Sequence, residues 1–336
     1  MTISDLEHFK KLLSEREQNV VEWLNSPETP NEADISKAQG LLIDIKNALQ
    51  RVEDKSFGNC DVCKEDIELF RLEIQPVTEI CLGCITKEER AQLEEELFLA
   101  SKIHRALLPQ AFERIEGHEI AVKSLAARIV GGDYYDFLPS SRNGATRIMI
   151  ADTMGKGLPA GLLMSNVQGA MRILAEDIIS PCQLISRLNQ WLCRNVPVTK
   201  FISLACVLLD TAPAGANRLI YTNAGHCPGM LIRNNSAVEW LEPTGGVLGI
   251  HVGFTYEEKT LEFNAGDLLV LYTDGVTEAE NINGDMFGTE RLTRILQDHR
   301  SEPLDMLIEN LLSEVRFFSE RRDLTDDFTV IAIRKI

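Results

Sequence analysis

Three apolar runs bounded by aspartate constrain the fold of this 336-residue chain most strongly. "RIMIAD" ends in Asp152, "LLVLYTDG" ends in Asp274-Gly275, and "DDFTVIAI" begins with Asp326. Short apolar runs bounded by turn residues are typical of strands buried in a core. If these strands share one core, their aspartates can meet at one rim. Each aspartate alone also has a structural interpretation, because Asp-Gly pairs form turns and acids often cap the ends of elements.

A fourth acid lies in the segment "RIVGGDYYDFLP", residues 128–139, where Asp133 follows Gly131 and Gly132. The ends of this segment alternate as in a half-buried strand, so the sequence predicts a strand there. Glycine inside a strand usually marks a bulge or a close approach of the backbone to another group. The four aspartates offer hard oxygen ligands with no His or Cys among them, which favours Mg²⁺ or Mn²⁺ over zinc.

The eight cysteines include two Cys-x-x-Cys pairs, "CDVC" and "CLGC". Each pair turns back so that its thiolates converge, and two such pairs form a closed tetrahedral site for one structural zinc ion. The alternatives are two chance pairs or a redox dithiol, although redox motifs usually occur singly beside a helix. The predicted zinc ligands are Cys60, Cys63, Cys81 and Cys84. The remaining cysteines are interpreted as small core residues: Cys182, Cys193, Cys206 and Cys227.

Helical periodicity flanks the cysteine pairs on both sides. Residues 1–55 contain two amphipathic stretches separated by a polar segment with two prolines, which predicts an antiparallel helical hairpin. A third helix is predicted over residues 86–108, ended by Pro109. Its apolar stripe either packs on its own domain or pairs two copies of the chain in a dimer. The stripe consists of Leu93, Leu97, Ala100, Ile103 or His104, and Leu107.

Residues 1–90 resemble the DksA/TraR zinc-finger family. The resemblance is carried by "FGNCDVCKEDIELFRLEIQPVTEICLGC", in its spacing and in the Arg-Leu…Pro core between the cysteine pairs. It implies a helical hairpin with a zinc finger. Family members use the hairpin tip, with an acidic motif of the form DxxDxA, to enter the secondary channel of RNA polymerase. Here the corresponding stretch is "NEADIS", with Asn31 in place of the first acid and Ser36 in place of the alanine.

Residues from about 95 to 336 resemble the PP2C-like serine/threonine phosphatases of the SpoIIE/RsbU type. The motifs are "LLP", "VGGDYYDF", "ADTMGKGLPAGLLM", "NAGHCPGML", "LYTDGVTEA" and "DDFTVIAI", and they occur in family order. The resemblance implies an α+β fold: a β-sandwich of two mainly antiparallel sheets flanked by helices. The predicted domains are residues 1–90, the linker helix 86–108, and the phosphatase-like domain 109–336.

The same resemblance implies roles for individual residues. Asp152 is expected to bridge two Mg²⁺ or Mn²⁺ ions, with the carbonyl of Thr153 assisting the second ion. Asp133 belongs to that second ion, whereas the first is completed by Asp274 and Asp326. Two such ions share a water, lower its pKa and hold the attacking and leaving oxygens in line.

Three neighbouring residues have two interpretations each. Arg128 either binds the substrate phosphate through its planar guanidinium or is a surface arginine at a strand end. His226 is interpreted as a structural histidine in preference to a group that supports the acids. Asp327 is interpreted as a cap or supporting acid in preference to a direct metal ligand.

The expected function is a cytoplasmic Mg²⁺/Mn²⁺-dependent protein serine/threonine phosphatase, regulated by the zinc-finger module and dimeric through the linker helix. The resemblance implies a phosphoserine-bearing anti-sigma-factor antagonist of the STAS fold as substrate. A net charge of −17 argues against direct DNA binding. No apolar run is long enough for a membrane span, and no signal peptide is recognised.

Other classes of function are also weighed. One is a phosphatase-like scaffold that has lost its metals, against which the intact set of four aspartates argues. Another is an RNA-polymerase-binding regulator of DksA type, against which the altered tip argues. The tripeptide Gly-Gly-Asp also occurs in diguanylate cyclases, but the accompanying Glu-Phe is absent here.

Overall fold

The computed structural model describes residues 3–25, 32–109, 114–139, 145–197, 199–209, 217–321 and 324–336. The chain divides into two compact units, Met1–Glu96 and Leu97–Ile336. The predicted boundaries of the three domains stay predictions. Among the described residues, no helix combines the length and the low polarity that crossing a membrane requires.

The first unit contains the predicted helical hairpin. Helices α1 (Ile3–Leu24) and α2 (Glu32–Glu53) are followed by the short α3 (Leu69–Ile74). Phe9 and Leu13, near the start of α1, share one buried cluster with Ile45 and Ala48, near the end of α2, so the two helices run antiparallel. The cluster extends to the finger through Phe57, Cys60, Ile67, Leu72 and Cys81. The hairpin tip, with Asn31, lies outside the described residues.

Helix α4 (Lys87–Leu107) corresponds to the predicted linker helix. Thr86 and Glu89 form a reciprocal capping box: the Thr86 hydroxyl accepts from the Glu89 N–H, and the Glu89 carboxylate accepts from the Thr86 N–H. Further along the helix, His104 is buried whereas Ile103 is 57% exposed. The inward position in the predicted stripe therefore belongs to His104.

The second unit is built on two five-stranded antiparallel sheets. The first sheet has the order β1 (His118–Leu125), β10 (Phe328–Lys335), β9 (Leu268–Tyr272), β6 (Gly229–Ile232), β7 (Val238–Leu241). The second has the order β2 (Tyr134–Pro139), β3 (Thr146–Thr153), β4 (Ile202–Leu209), β5 (Arg218–Ala224), β8 (Lys259–Glu262). The runs predicted as strands overlap β1, β3, β4, β5, β6, β8, β9 and β10; β3 extends one residue beyond its predicted run at each end, and β8 is shorter than its run.

Helices cover the outer faces of both sheets, while the inner faces pack on each other. Helices α5 (Leu158–Asp177) and α6 (Pro181–Asn195) cover the second sheet. Helices α8 (Gly288–Asp298) and α9 (Leu304–Ser319) cover the first. Between the sheets lies a third cluster, formed by residues such as Ile148, Val207, Leu271 and Ile331. The predicted fold class, a sandwich flanked by helices, is confirmed.

The strand predicted over residues 128–139 begins later than expected. Residues 128–130 and 132 form bends, none of residues 128–133 belongs to a strand, and the strand itself starts at Tyr134. The backbone N–H groups of Ala127 and Gly132 donate to the carboxylate of Asp327 and are thereby diverted from a ladder. The prediction of a strand at 128–133 was therefore wrong, and the reason is a side chain that satisfies backbone donors in place of a neighbouring strand.

Candidate metal centres and active site

Four separate elements bring their aspartates to one rim of the sandwich. Asp133 immediately precedes β2, Asp152 is the penultimate residue of β3, and Asp326 lies two residues before β10. Asp274 is the first residue of the short helix α7 (Asp274–Thr277) after β9. These four aspartates and Asp327 together form the acid rim.

Burial and mutual repulsion raise the pKa values of three aspartates of the acid rim. Burial raises the pKa of Asp152 to about 8, with further contributions from Asp274, Asp326 and Asp327. Burial and then Asp326 raise the pKa of Asp274 to about 6. The pKa of Asp133 is well above its usual range, through burial and then the charge of Asp152. Carboxylates so near to one another can ionise together only when a positive charge compensates their repulsion.

Asp133 is held by two hydroxyl groups. Its Oδ2 accepts hydrogen bonds from Thr273 Oγ1 at 2.8 Å and from Thr329 Oγ1 at 2.6 Å, and the side chain is only 4% exposed. The two threonines belong to the ends of neighbouring strands, and the Thr273 N–H donates to the Thr329 carbonyl. The central strands of the first sheet thus fix the orientation of an acid that precedes a strand of the second sheet.

Asp327 fastens the segment that carries the two glycines. Its Oδ1 accepts from the Ala127 N–H at 2.7 Å and its Oδ2 from the Gly132 N–H at 2.5 Å. A Cβ on Gly131 would lie 2.8 Å from Asp327 Oδ2, and one on Gly132 would lie 2.7 Å from Thr153 Oγ1. The predicted close approach at these glycines is therefore present. With both carboxylate oxygens on backbone donors, Asp327 supports the segment next to Asp133.

Asp326 carries the ion pair of the acid rim. Its Oδ2 lies 2.7 Å from the Lys156 Nζ, and its Oδ1 accepts from the Asp327 N–H at 2.9 Å. Lys156 belongs to the loop between β3 and α5, three residues after Thr153. A basic side chain therefore reaches the rim from the segment that also carries Asp152.

The donor set suits a hard divalent cation. The acid rim offers carboxylate oxygens, and the Thr153 carbonyl lies beside it, 3.1 Å from where a Cβ of Gly132 would be. Such oxygens are the preferred ligands of Mg²⁺ and Mn²⁺. A bound cation would be favoured electrostatically, because its charge would offset the repulsion among these carboxylates. Among the described residues, however, only the four cysteines bring three or more potential ligand atoms all within 4.8 Å of one another.

The two other residues with alternative interpretations differ in their surroundings. Arg128 is exposed and makes no hydrogen bond or ion pair with the described residues; its Cδ would lie 3.6 Å from a Cβ on Gly157, in the loop after β3. His226 is buried, and its Nδ1 lies 2.8 Å from Ser203 Oγ. Burial lowers the pKa of His226 to about 4. A neutral, enclosed imidazole supports the structural interpretation of His226.

The four predicted zinc ligands form a second cluster, in the first unit. The sulfurs of Cys63 and Cys81 are 3.6 Å apart, and all four lie within 4.8 Å of one another. Zinc–sulfur bonds of about 2.3 Å in a tetrahedron place sulfurs about 3.8 Å apart, which this cluster matches. Backbone N–H groups, first that of Cys63 and then that of Cys81, lower the pKa of Cys60 to about 6. Neighbouring sulfurs, first that of Cys63, raise the pKa of Cys84 to about 12, so four thiolates together require a cation. The geometry of the cluster fits one zinc ion.

Sequence reasoning missed three residues of the acid rim's surroundings. Thr273 and Thr329 lie in the quoted motifs, directly before Asp274 and two residues after Asp327. The sequence alone does not show that both hydroxyls donate hydrogen bonds to Asp133. This arrangement depends on the pairing of β9 with β10, in which Val330 lies opposite Tyr272. Lys156 was overlooked because a lysine between two glycines is usually a solvated loop residue.

Comparisons with known proteins agree with this architecture. The family model described as Stage II sporulation protein E (SpoIIE) matches residues 142–335. Phosphoserine phosphatase RsbU of Bacillus subtilis (strain 168) is 30% identical over 246 residues, which cover 73% of this chain and 71% of RsbU. The solved SiaA-PP2C domain of Pseudomonas aeruginosa is similar with a TM-score of 0.65 and 21% identity, covering 74% of this chain and 99% of that domain.

The first unit has a different relative. The RNA polymerase-binding transcription factor DksA of Escherichia coli (strain K12) is 39% identical over 49 residues, 15% of this chain and 32% of DksA. The similarity supports a DksA-like segment ahead of the sandwich.

The sandwich and the family match together define a PP2C-type phosphatase domain. The chain belongs to the SpoIIE family.

The zinc cluster generates the first prediction. Cys60→Ser is expected to abolish zinc binding and to unfold residues 56–90, because a four-cysteine site contributes folding free energy directly. Zinc content per chain and limited proteolysis measure the two effects, with Cys182→Ser, a cysteine outside the cluster, as the matched control. A Cys60→Ser protein that retains one tightly bound zinc and resists proteolysis would contradict the structural site.

The acid rim generates a prediction about pH. The folded-state pKa values of Asp152, about 8, and Asp274, about 6, exceed the unfolded value of about 3.9. The folded protein therefore binds more protons than the unfolded chain between pH 4 and 8, and its free energy of unfolding falls as the pH rises through this window. Calorimetry in Mg²⁺- and Mn²⁺-free buffer should record that decline. Asp152→Asn should flatten it; an equally steep decline in this variant would refute the assignment.

Proposed function

We propose that this chain is a Mg²⁺- or Mn²⁺-dependent protein phosphatase that hydrolyses phosphoserine or phosphothreonine on a protein substrate. The observation that carries the proposal is the acid rim, where four separate segments bring aspartates together and where burial and neighbouring carboxylates raise the pKa values of Asp133, Asp152 and Asp274. The similarity to Phosphoserine phosphatase RsbU supports the same activity. A cytoplasmic location belongs to this proposal.

In the proposed mechanism, the residues that would hold two metal ions are Asp133, Asp152, Asp274 and Asp326, with the Thr153 carbonyl. The bound ions supply a water of lowered pKa and positive charge for the phosphoryl oxygens. The chain itself supplies orientation: the hydroxyls of Thr273 and Thr329 fix Asp133. No serine or cysteine nucleophile is required.

Arg128 is the proposed ligand of the substrate phosphate. Its guanidinium has no partner among the described residues, so it is available for a bidentate contact. It lies beside Gly157, at the end of the loop that follows Asp152.

The proposed substrate is the phosphoserine form of an anti-sigma-factor antagonist of the STAS fold. Its support is the resemblance to the SpoIIE/RsbU type, since nothing in the acid rim distinguishes one phosphoprotein from another. Incubating the purified protein with a phosphoserine peptide and with a phosphorylated STAS protein, with and without Mn²⁺, tests activity and preference together. Release of phosphate from neither would favour the alternative, a scaffold that binds without catalysis.

The DksA-like segment keeps a second candidate open, an RNA-polymerase-binding regulator. The 39% identity over 49 residues is the observation that favours it. Because the hairpin tip lacks an intact DxxDxA motif, we favour a regulatory role of the zinc-finger module on the phosphatase. Co-purification with RNA polymerase would support the second candidate independently of any phosphatase activity.

Helix α4 is the proposed route of regulation. Within the second unit its end is bonded to elements next to Asp133: the Tyr135 hydroxyl donates to the Pro109 carbonyl, and the Gln168 amide donates to the Leu107 carbonyl. The buried His104 packs so closely that its Cδ2 would lie 3.2 Å from a Cβ on Gly161. A shift of α4 therefore has direct contacts through which to alter the Asp133 side of the acid rim.

The acid rim generates the third prediction, on catalysis. Asp152→Ala and Asp274→Ala are each expected to reduce Mn²⁺-dependent hydrolysis by several orders of magnitude, because each removes a ligand of the charge that stabilises the transition state. Phosphate release from p-nitrophenyl phosphate measures the loss. Asp298→Ala, an exposed aspartate in α8, is the matched control and should retain activity. Near wild-type Mn²⁺-dependent turnover in either rim variant would exclude the two-metal mechanism.

The apolar face of α4 generates the fourth prediction. We propose a homodimer formed partly through Leu93, Leu97 and Leu107, because the helical period places these three leucines on one side of α4 and Leu93 is 42% exposed. Leu97→Glu should convert dimers to monomers and raise the Mn²⁺ concentration needed for half-maximal activity. Light scattering and Mn²⁺ titration measure these effects.

The matched control for the dimer is Ala106→Glu. Nine residues at 100° each place position 106 on the opposite side of the helix from Leu97, so the same charge enters away from the proposed seam. If Leu97→Glu remains dimeric and its Mn²⁺ requirement is unaltered, the proposed role of α4 in dimerisation and regulation is excluded, and the helix acts only as a spacer.

A further inference from the structure

Lys156 occupies an unusual place for a loop lysine. Its Nζ lies 2.7 Å from Asp326 Oδ2 and donates a hydrogen bond to the Thr325 carbonyl at 3.0 Å. The ammonium is therefore seated on one of the four aspartates proposed to bind metal. The neighbouring glycines, Gly155 and Gly157, both have positive φ, 109° and 72°, a conformation that the loop needs to direct Lys156 toward the rim.

The other carboxylates of the rim have different partners. Asp133 is satisfied by two hydroxyls and Asp327 by two backbone N–H groups. Among the described residues, Lys156 forms the one ion pair with the acid rim. It also opposes the rise in the pKa of Asp274, which burial and then Asp326 cause. The ammonium thus acts as a counter-charge supplied by the chain itself.

A metal ion and an ammonium group compete for the same oxygen. A divalent ion bound at Asp326 Oδ2 would be repelled by a charge placed within hydrogen-bond distance of that oxygen. The side chains of Lys156 and Asp326 are 46% and 39% exposed, so the ammonium has solvent to move into. Displacing it costs the ion pair, and this cost subtracts from the affinity for the metal.

We propose that Lys156 is a built-in competitor of the divalent metal: its ammonium pairs with Asp326, is displaced when the metal binds, and so sets the metal affinity of the site. The inference rests on the proposed metal-dependent function. Lys156 is in this view a positioning residue, which acts on the metal through Asp326.

Mn²⁺ binding to the full, zinc-loaded chain tests the proposal without any assay of activity. Isothermal titration calorimetry compares wild type with Lys156→Gln, which removes the charge, and with Lys156→Arg, which keeps it. Lys156→Gln is expected to bind Mn²⁺ about fivefold more tightly, the upper range for a partly exposed ion pair. Lys156→Arg should stay within about threefold of wild type.

The matched control is Lys200→Gln. The Nζ of Lys200 would lie 3.8 Å from a Cβ on Gly155, so this lysine is close to the same loop, but it forms no ion pair with the described residues. It separates the effect of the Asp326 contact from that of general positive charge. Lys200→Gln should change Mn²⁺ affinity by less than about twofold.

Thermal unfolding supplies the second readout. The unfolding temperature without divalent ions should fall in Lys156→Gln, while the value at saturating Mn²⁺ should match wild type, so the Mn²⁺-induced increase becomes larger.

Unchanged or weaker Mn²⁺ binding by Lys156→Gln, or an equal gain in Lys200→Gln, would overturn the proposal while leaving the phosphatase function intact. Absence of Mn²⁺ binding by wild type and all variants would overturn both.

Discussion

In the acid rim, the fold holds five carboxylates close together against their mutual repulsion. The fold supplies a different partner for three of the five: threonine hydroxyls for Asp133, backbone N–H groups for Asp327, and an ammonium for Asp326. Burial and neighbouring carboxylates nevertheless raise the pKa values of Asp133, Asp152 and Asp274. An external cation would therefore favour the ionised form of all three.

The packed strands of the sandwich hold the carboxylates of the acid rim close together. Strand β3 is buried along nearly its whole length, and it pairs with β2 and β4 in continuous register. On β2, the alternation sends Tyr134 and Asp136 to the helix-covered face, where Asp136 pairs with Arg172 of α5 at 2.9 Å. The segment around Asp133 is therefore fastened on both sides, by Asp327 at one end and by the Asp136–Arg172 pair at the other.

Residue patterns predicted the strands and aspartates well because apolar runs and turn residues are local signals. They failed where a long-range contact decides the conformation. Asp327 captures the N–H groups of Ala127 and Gly132, 200 and 195 residues away in sequence, and thereby converts a predicted strand into bends. Lys156 likewise acquires its significance only from Asp326, 170 positions further along the chain. No spacing rule within a single segment contains such information.

The two proposed metal sites differ in how strongly metal binding is coupled to folding. The cysteine cluster brings four soft ligands within 4.8 Å of one another in a small unit whose core includes Cys60 and Cys81, so its metal and its fold depend on each other. The acid rim sits on a sandwich with three hydrophobic clusters, and three of its five aspartates already have partners from the chain. Metal exchange there need not unfold the protein, because packing elsewhere maintains the strands. A site that exchanges its metal without unfolding can vary in occupancy, and both the proposed competition by Lys156 and the proposed regulation through α4 require this property.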